Sequence, residues 1–106
     1  MSKAQRDKGQ RREREAYAHL CDELGHQHIE RNYGQAANGG IDIKAGPFGV
    51  EVKARASISC VRWLEQAVTA CGPLGLVPMV YAREDRGEPI VIMRAADAMK
   101  LMRGEM

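Results

Sequence analysis

Two short runs of alternating residues, Ile41–Ala45 (IDIKA) and Phe48–Ala54 (FGVEVKA), stand on either side of Gly46-Pro47. Alternation with period two marks a strand with one buried face, and a two-residue Gly-Pro break between such runs predicts an antiparallel hairpin. So short a turn sets the register of the pair, and a slip of one residue would turn every side chain to the wrong face. With Ala45 facing Phe48, Asp42 falls opposite Glu51. Directly opposed residues hold their Cβ atoms about 4.5 to 5.5 Å apart, where two carboxylates repel unless a proton or a cation is shared between them. A hard divalent ion such as Mg²⁺ prefers oxygens of this kind.

Along the second strand Lys53 projects to the same face as Glu51, while Val50 and Val52 point the other way. Two carboxylates and an ammonium thus meet on one patch. A cation held by Asp42 and Glu51 would polarise a phosphoryl oxygen and acidify a water, with Lys53 orienting that water or neutralising charge on the phosphate. These are the tools of phosphodiester hydrolysis. Taken alone, E-V-K also describes a half-exposed strand with a surface ion pair, and it is the D-x8-E-x-K spacing behind a glycine-rich loop that raises the catalytic reading.

The rest of the chain supplies elements to pack on this hairpin. Tyr17, Leu20, Cys21 and Leu24 recur at helical spacing, which predicts a helix from about Lys8 to Leu24 with Gly25 as its stop. Glu13 lies four, seven and eleven residues before Tyr17, Leu20 and Leu24, hence within about 40° of their stripe. A carboxylate on an inward face needs a partner, and completing a metal's ligand set would provide one; a helix-start glutamate favoured by the dipole is the plainer account. HQHIERNY is a short strand candidate and GQAANGG a loop. Ser57 and Ser59 are cap candidates for a second helix with the stripe Val61, Leu64, Val68 and Cys71, ended by Gly72-Pro73. LVPMVYA and IVIM, separated by REDRGEP, form a second strand pair, with Pro78 pointing to an unpaired flank. A terminal helix starts near Ala95. The order α-β-β-β-α-β-β-α predicts one domain over residues 1–106, of α/β class (α+β, mixed sheet).

Composition narrows the function classes. With 44% hydrophobic and 28% charged residues the chain reads as a globular protein. No apolar stretch approaches the roughly 18 residues of a membrane span, and the N-terminus is charged where a signal peptide would be apolar, so a cytoplasmic location is expected. Cys21, Cys60 and Cys71 form no C-x-x-C pair and read as small buried hydrophobes. The first fifteen residues carry six basic against three acidic side chains, an excess placed where a helix dipole disfavours it unless an anion such as phosphate is near. His26 and His28 read as surface or supporting residues, and Trp63 as a core or subunit-contact residue. From its own surroundings Gln66 is only a polar helix position.

At these residues the chain resembles the small PD-(D/E)xK endonucleases of phages and prophages, which are similar to the archaeal Holliday junction resolvases. KGQRRERE resembles the family's first-helix signature, GGIDI with GVEVK its central motif, and LEQA its helical motif. Ile41 stands where the motif name has proline. The resemblance implies a restriction-endonuclease-like core, Asp42 and Glu51 as metal ligands, Glu13 assisting them, Lys53 as the catalytic lysine and Gln66 near the active site. It also implies Mg²⁺ or Mn²⁺ as cofactor. The loop from Gly34 to Gly40 falls where relatives touch DNA, so Arg31, Asn32, Gln35 and Asn38 become expected backbone contacts, with Lys8, Arg11, Arg12 and Arg55 beside them. With no second domain to read bases, structure-directed cutting of branched DNA by a homodimer is expected. A general nick, flap or end nuclease, and a binding module that keeps the fold without cutting, are the alternatives.

Overall fold

The computed structural model describes residues 2–33 and 40–106. Its elements run α1 (Lys3–Leu24), β1 (Ile29–Arg31), β2 (Ile43–Ala45), β3 (Phe48–Arg55), α2 (Cys60–Cys71), β4 (Val77–Glu84), β5 (Ile90–Ile92) and α3 (Ala95–Met102). This is the expected order, and the five strands form one mixed sheet in the order β1-β2-β3-β4-β5. The hairpin has the expected register, with Ala45 opposite Phe48 and Ile43 opposite Val50. Gly46 takes a φ of 57°, which its missing Cβ allows, and Pro47 follows with its ring-fixed negative φ, the sign pattern of a type II′ turn.

Strands β3 and β4 run parallel along their whole length, a pairing that requires a crossover, which α2 provides. Strand β5 pairs with β4 only from Val80 to Ala82, so the sheet leaves the stretch around Pro78 unpaired on that side, which suits a residue with no N–H. One face of the sheet carries Ile29, Ile43, Ala45 and Val50 packed with Ala16 and Cys21 of α1. On the other, Val80 and Ala82 pack with Trp63 and Ala67 of α2. Trp63 is therefore a core residue. Among the described residues no helix is long and apolar enough to cross a membrane.

Several local expectations are corrected. Helix α1 begins five residues before Lys8, because Ser2 and Gln5 form a reciprocal cap: the Ser2 hydroxyl accepts from the Gln5 N–H and Gln5 Oε1 accepts from the Ser2 N–H. Leu24 is 56% exposed, since the helix outruns the sheet after Cys21, and Ala16 takes the inward place. His26–His28 form a 3-10 turn and not part of a strand, as the chain reverses after Gly25. In α2 the buried line is Trp63, Ala67 and Cys71, with Val61 72% exposed, and Ser59 holds the cap position without a side-chain cap bond. Cys21 and Cys71 are buried, but Cys60, at the exposed start of α2, is not.

Gly49 shows how tightly α2 and the approach to β2 press on the central strand. A Cβ at this position would collide with the Cys71 sulfur and stand 2.9 Å from Ile41 Cδ1, and both neighbours are buried. Gly49→Ala is expected to lower stability by about 1–3 kcal/mol, the usual range for overpacking a filled core. Urea denaturation checks this, and an unchanged midpoint would mean that α2 can retreat without loss.

Candidate active site

The site forms where β2 ends. Asp42 lies one residue before the strand, its carbonyl accepting from the Asn32 N–H at 2.8 Å and its Oδ2 accepting from the Val52 N–H at 2.9 Å. Backbone pairing between β2 and β3 stops at Ile43 and Val50, so the next outward amide of β3 needs an acceptor. The Asp42 carboxylate is that acceptor, a cross-strand side-chain bond that replaces the missing backbone pair. It fixes the side chain across from Glu51. Asn32 adopts a left-handed φ of 56°, one of the few conformations a non-glycine residue with a short polar side chain tolerates.

Glu51 and Lys53 are half-buried on β3. Burial pushes the Glu51 carboxyl up to about 7, and the neighbouring charge of Asp42 pushes the same way against the pull of Lys53. Burial also raises Asp42, opposed by the Val52 N–H and reinforced by Glu13. Two hard oxygen donors whose proton affinity is raised by desolvation and by neighbouring carboxylates fit a divalent cation, which would relieve both causes.

Glu13 faces inward from α1, with a side chain 16% exposed, and lies near enough to Asp42 and Glu51 to raise both. Its Oε1 accepts from Arg31 Nη2 at 3.0 Å and from Nε at 3.3 Å, and the guanidinium sits 5.8 Å from the Tyr17 ring centroid. Among the described residues no three histidine, cysteine or acidic side chains form a ready metal-binding group. Asp42 and Glu51 are the pair that could hold a cation here, with Glu13 engaged by Arg31.

Between α1 and the end of β3 opens a cleft of about 570 Å³ whose lining includes Arg6, Lys8, Arg12, Glu13, Asp42, Lys53 and Arg55. Glu51 is not part of that lining. The basic residues at the cleft are mostly engaged: Lys8 pairs with Asp85 at 2.7 Å, Arg12 with Glu15 at 2.9 Å, and Arg55 donates to the Ala54 carbonyl. Arg11 and Asn32 are exposed. Gln66 is exposed on α2. Gln35 and Asn38 lie outside the described residues.

Sequence reasoning did not single out Gln5 and Arg6 at the cleft, or Glu15, Tyr81 and Arg83 beside it. The Ser2-x-x-Gln5 cap was the available signal for the first two, since it extends α1 and sets Arg6 two turns before Glu13 on the same face. Glu15 belongs to a polar line on α1, Lys8, Arg12, Glu15 and His19, that meets Tyr81 and Arg83 of β4 and Asp85 just after it. Lys8 reaches Asp85, Glu15 reaches Arg83, and His19 Nδ1 lies 2.6 Å from the Tyr81 hydroxyl.

No protein-family model matches the chain, and neither does any curated protein. Among solved structures it is similar to Hjc, a Holliday junction resolvase from the hyperthermophilic archaeon Archaeoglobus fulgidus, with a TM-score of 0.60 and 24% identity over 81% of this chain and 72% of that one. The chain has the fold of an archaeal resolvase, a mixed five-stranded sheet with flanking helices.

The raised Glu51 carboxyl has a measurable consequence. A folded-state value of about 7, above the 4.5 of an ordinary glutamate, means that the protonated form favours folding. That stabilisation is complete below about pH 4.5 and is lost as pH rises through about 7. In EDTA, the Glu51 contribution should make thermal stability fall across this window, and Glu51→Gln should flatten the fall. Identical pH profiles for the two proteins would contradict the placement of Glu51 beside Asp42.

Proposed function

We propose that the chain is a divalent-metal-dependent endodeoxyribonuclease that cuts branched DNA in the manner of a Holliday junction resolvase. The observation that carries this reading is the Asp42 carboxylate, fixed by the Val52 N–H across from Glu51, with Lys53 two residues on along the same strand. The shared fold with Hjc supports it.

In this reading Asp42 and Glu51 would hold Mg²⁺ or Mn²⁺, with Glu13 as a further oxygen donor, and Arg31, which Glu13 now engages, would turn to a DNA phosphate. Bound there, the ion supplies Lewis-acid polarisation of the phosphodiester and a more acidic water. Lys53 stands against the scissile phosphate, where its ammonium offsets the charge that grows on the phosphoryl oxygens. Arg6, Lys8, Arg12 and Arg55 follow the neighbouring backbone along the cleft, Arg11 and Asn32 extend the contact outward, and Gln66 supports the site from α2. Because phosphate contacts carry no base information, the substrate is selected by shape.

A four-way junction has approximate two-fold symmetry, so paired incisions call for a homodimer. Val61 on α2 and Ile90 and Val91 on β5 are exposed apolar residues available to such a contact. A phage or prophage setting, with action on DNA in the host cytoplasm, belongs to the same reading.

Incubation of labelled four-way junction and matched linear duplex with the protein, in Mg²⁺ or EDTA, tests it. Metal-dependent paired cuts in the junction are expected, reduced at least about a hundredfold in Asp42→Asn, Glu51→Gln and Lys53→Met, with junction binding retained. Cutting of every substrate would make the chain a general nuclease of nicks, flaps or ends. Binding without cutting in either Mg²⁺ or Mn²⁺ would leave a non-catalytic module.

A further inference from the structure

Beside the cleft, between α1 and the ends of the parallel strands β3 and β4, lies a small void of about 30 Å³ lined by Arg12, Glu15, Lys53, Tyr81 and Arg83 among others. It shares Arg12, Val52, Lys53 and Ala54 with the cleft, so the two are continuous. Two guanidinium groups face each other across one carboxylate: Glu15 Oε2 accepts from Arg12 Nη1 at 2.9 Å and stands 3.6 Å from Arg83 Nη1. The arginine side chains are only 18% and 34% exposed. The Nε atoms of both are shielded from solvent and have no acceptor. They are the only buried side-chain donors or acceptors without a partner among the described residues.

A buried donor without an acceptor is costly, about 1–3 kcal/mol and more for a charged group. Two of them, on arginines joined by one carboxylate, indicate an acceptor missing from the free protein. Charge points the same way. Lys8, Arg12, Arg83 and Lys53 stand against Glu15 and Asp85, an excess of two positive charges. The Nε and one Nη of each guanidinium form the fork that takes two oxygens of a phosphate. The void has room for one or two waters, or for the oxygens of one phosphate that enters as Glu15 swings out.

We propose that Arg12 and Arg83 form a second phosphate subsite, next to the reaction site, which takes a backbone phosphate of the bound nucleic acid, and that Glu15 holds the place of this phosphate in the free protein. The hydrogen bond from Arg12 holds the Glu15 carboxyl below its usual range, which favours the charged form of the placeholder. Continuity with the cleft favours a phosphate of the bound strand over free inorganic phosphate. The subsite extends the nucleic-acid track from α1 onto β4, away from Arg31. This rests on the nuclease reading for the identity of the ligand but not for the presence of an anion site.

Two measurements in EDTA test it. The first follows the Nε–H signals of Arg12 and Arg83 by NMR during titration with a short DNA duplex and, separately, with inorganic phosphate. Both signals should shift with DNA. A shift with inorganic phosphate as well supports the anion site, and a shift with phosphate in a protein that binds no DNA would keep the site while ending the nuclease reading. If DNA binds and is cut with Mg²⁺ but neither signal moves, the void holds internal water only and the proposal fails. The second compares variants by salt-dependent DNA binding. Arg83→Gln should weaken binding about tenfold and reduce the salt slope by about one, whereas Glu15→Gln should tighten it about two- to fivefold. A purely structural ion pair predicts the opposite sign for Glu15→Gln, weaker binding in step with a lower melting temperature, and that result would overturn the subsite.

Discussion

The hydrogen bond from the Val52 N–H to the Asp42 carboxylate joins fold and site in one contact. It is needed because β2 is only three residues long while β3 has eight, so the longer strand presents an amide that the shorter one cannot pair. Were Asp42 simply the next residue of a regular strand, its side chain would be free to turn to solvent. Held at this amide, it stays half-buried beside Glu51, and the desolvation and repulsion that follow are what make the pair receptive to a cation. The same residue is tied through its carbonyl to Asn32, so β1 also depends on where Asp42 stands.

Helix α1 then decides what faces that pair. Its buried apolar contact is narrow, with Ala16 and Cys21 fully inside and Tyr17 and Leu20 half-buried. Such a contact leaves the helix poorly specified in rotation and sliding. The polar pairs along its flank, Lys8 with Asp85, Glu15 with Arg83 and His19 with Tyr81, add orientation even though exposed pairs contribute only about 0–1 kcal/mol each. Arg31 fastens the opposite flank through Glu13. The helix that carries Glu13 and the basic side chains to the cleft is thereby fixed on both sides by charge and in the middle by close packing.

The hairpin was fully legible in the sequence, since period-two alternation around Gly46-Pro47 admits one register, and the opposition of Asp42 and Glu51 followed from it. The inward turn of Glu13 was legible from helical periodicity. What could not be read there is long-range. Arg31 and Glu13 are eighteen positions apart and meet only once β1 lies under α1, and Glu15 and Arg83 are joined only by the position of β4 beside the central strand β3. The errors at Leu24 and Val61 have one cause: periodicity reports which face of a helix is apolar but not how far its neighbour extends.

Titration of isotopically labelled protein with Mn²⁺, followed by paramagnetic broadening of its amide signals, tests most directly whether Asp42 and Glu51 are a cation site. Signals of Asp42, Glu51 and Val52 should broaden first, and Glu51→Gln should abolish that priority. Earlier broadening around other carboxylates, such as Asp85 or Asp97, or an unchanged pattern in Glu51→Gln, would contradict the account.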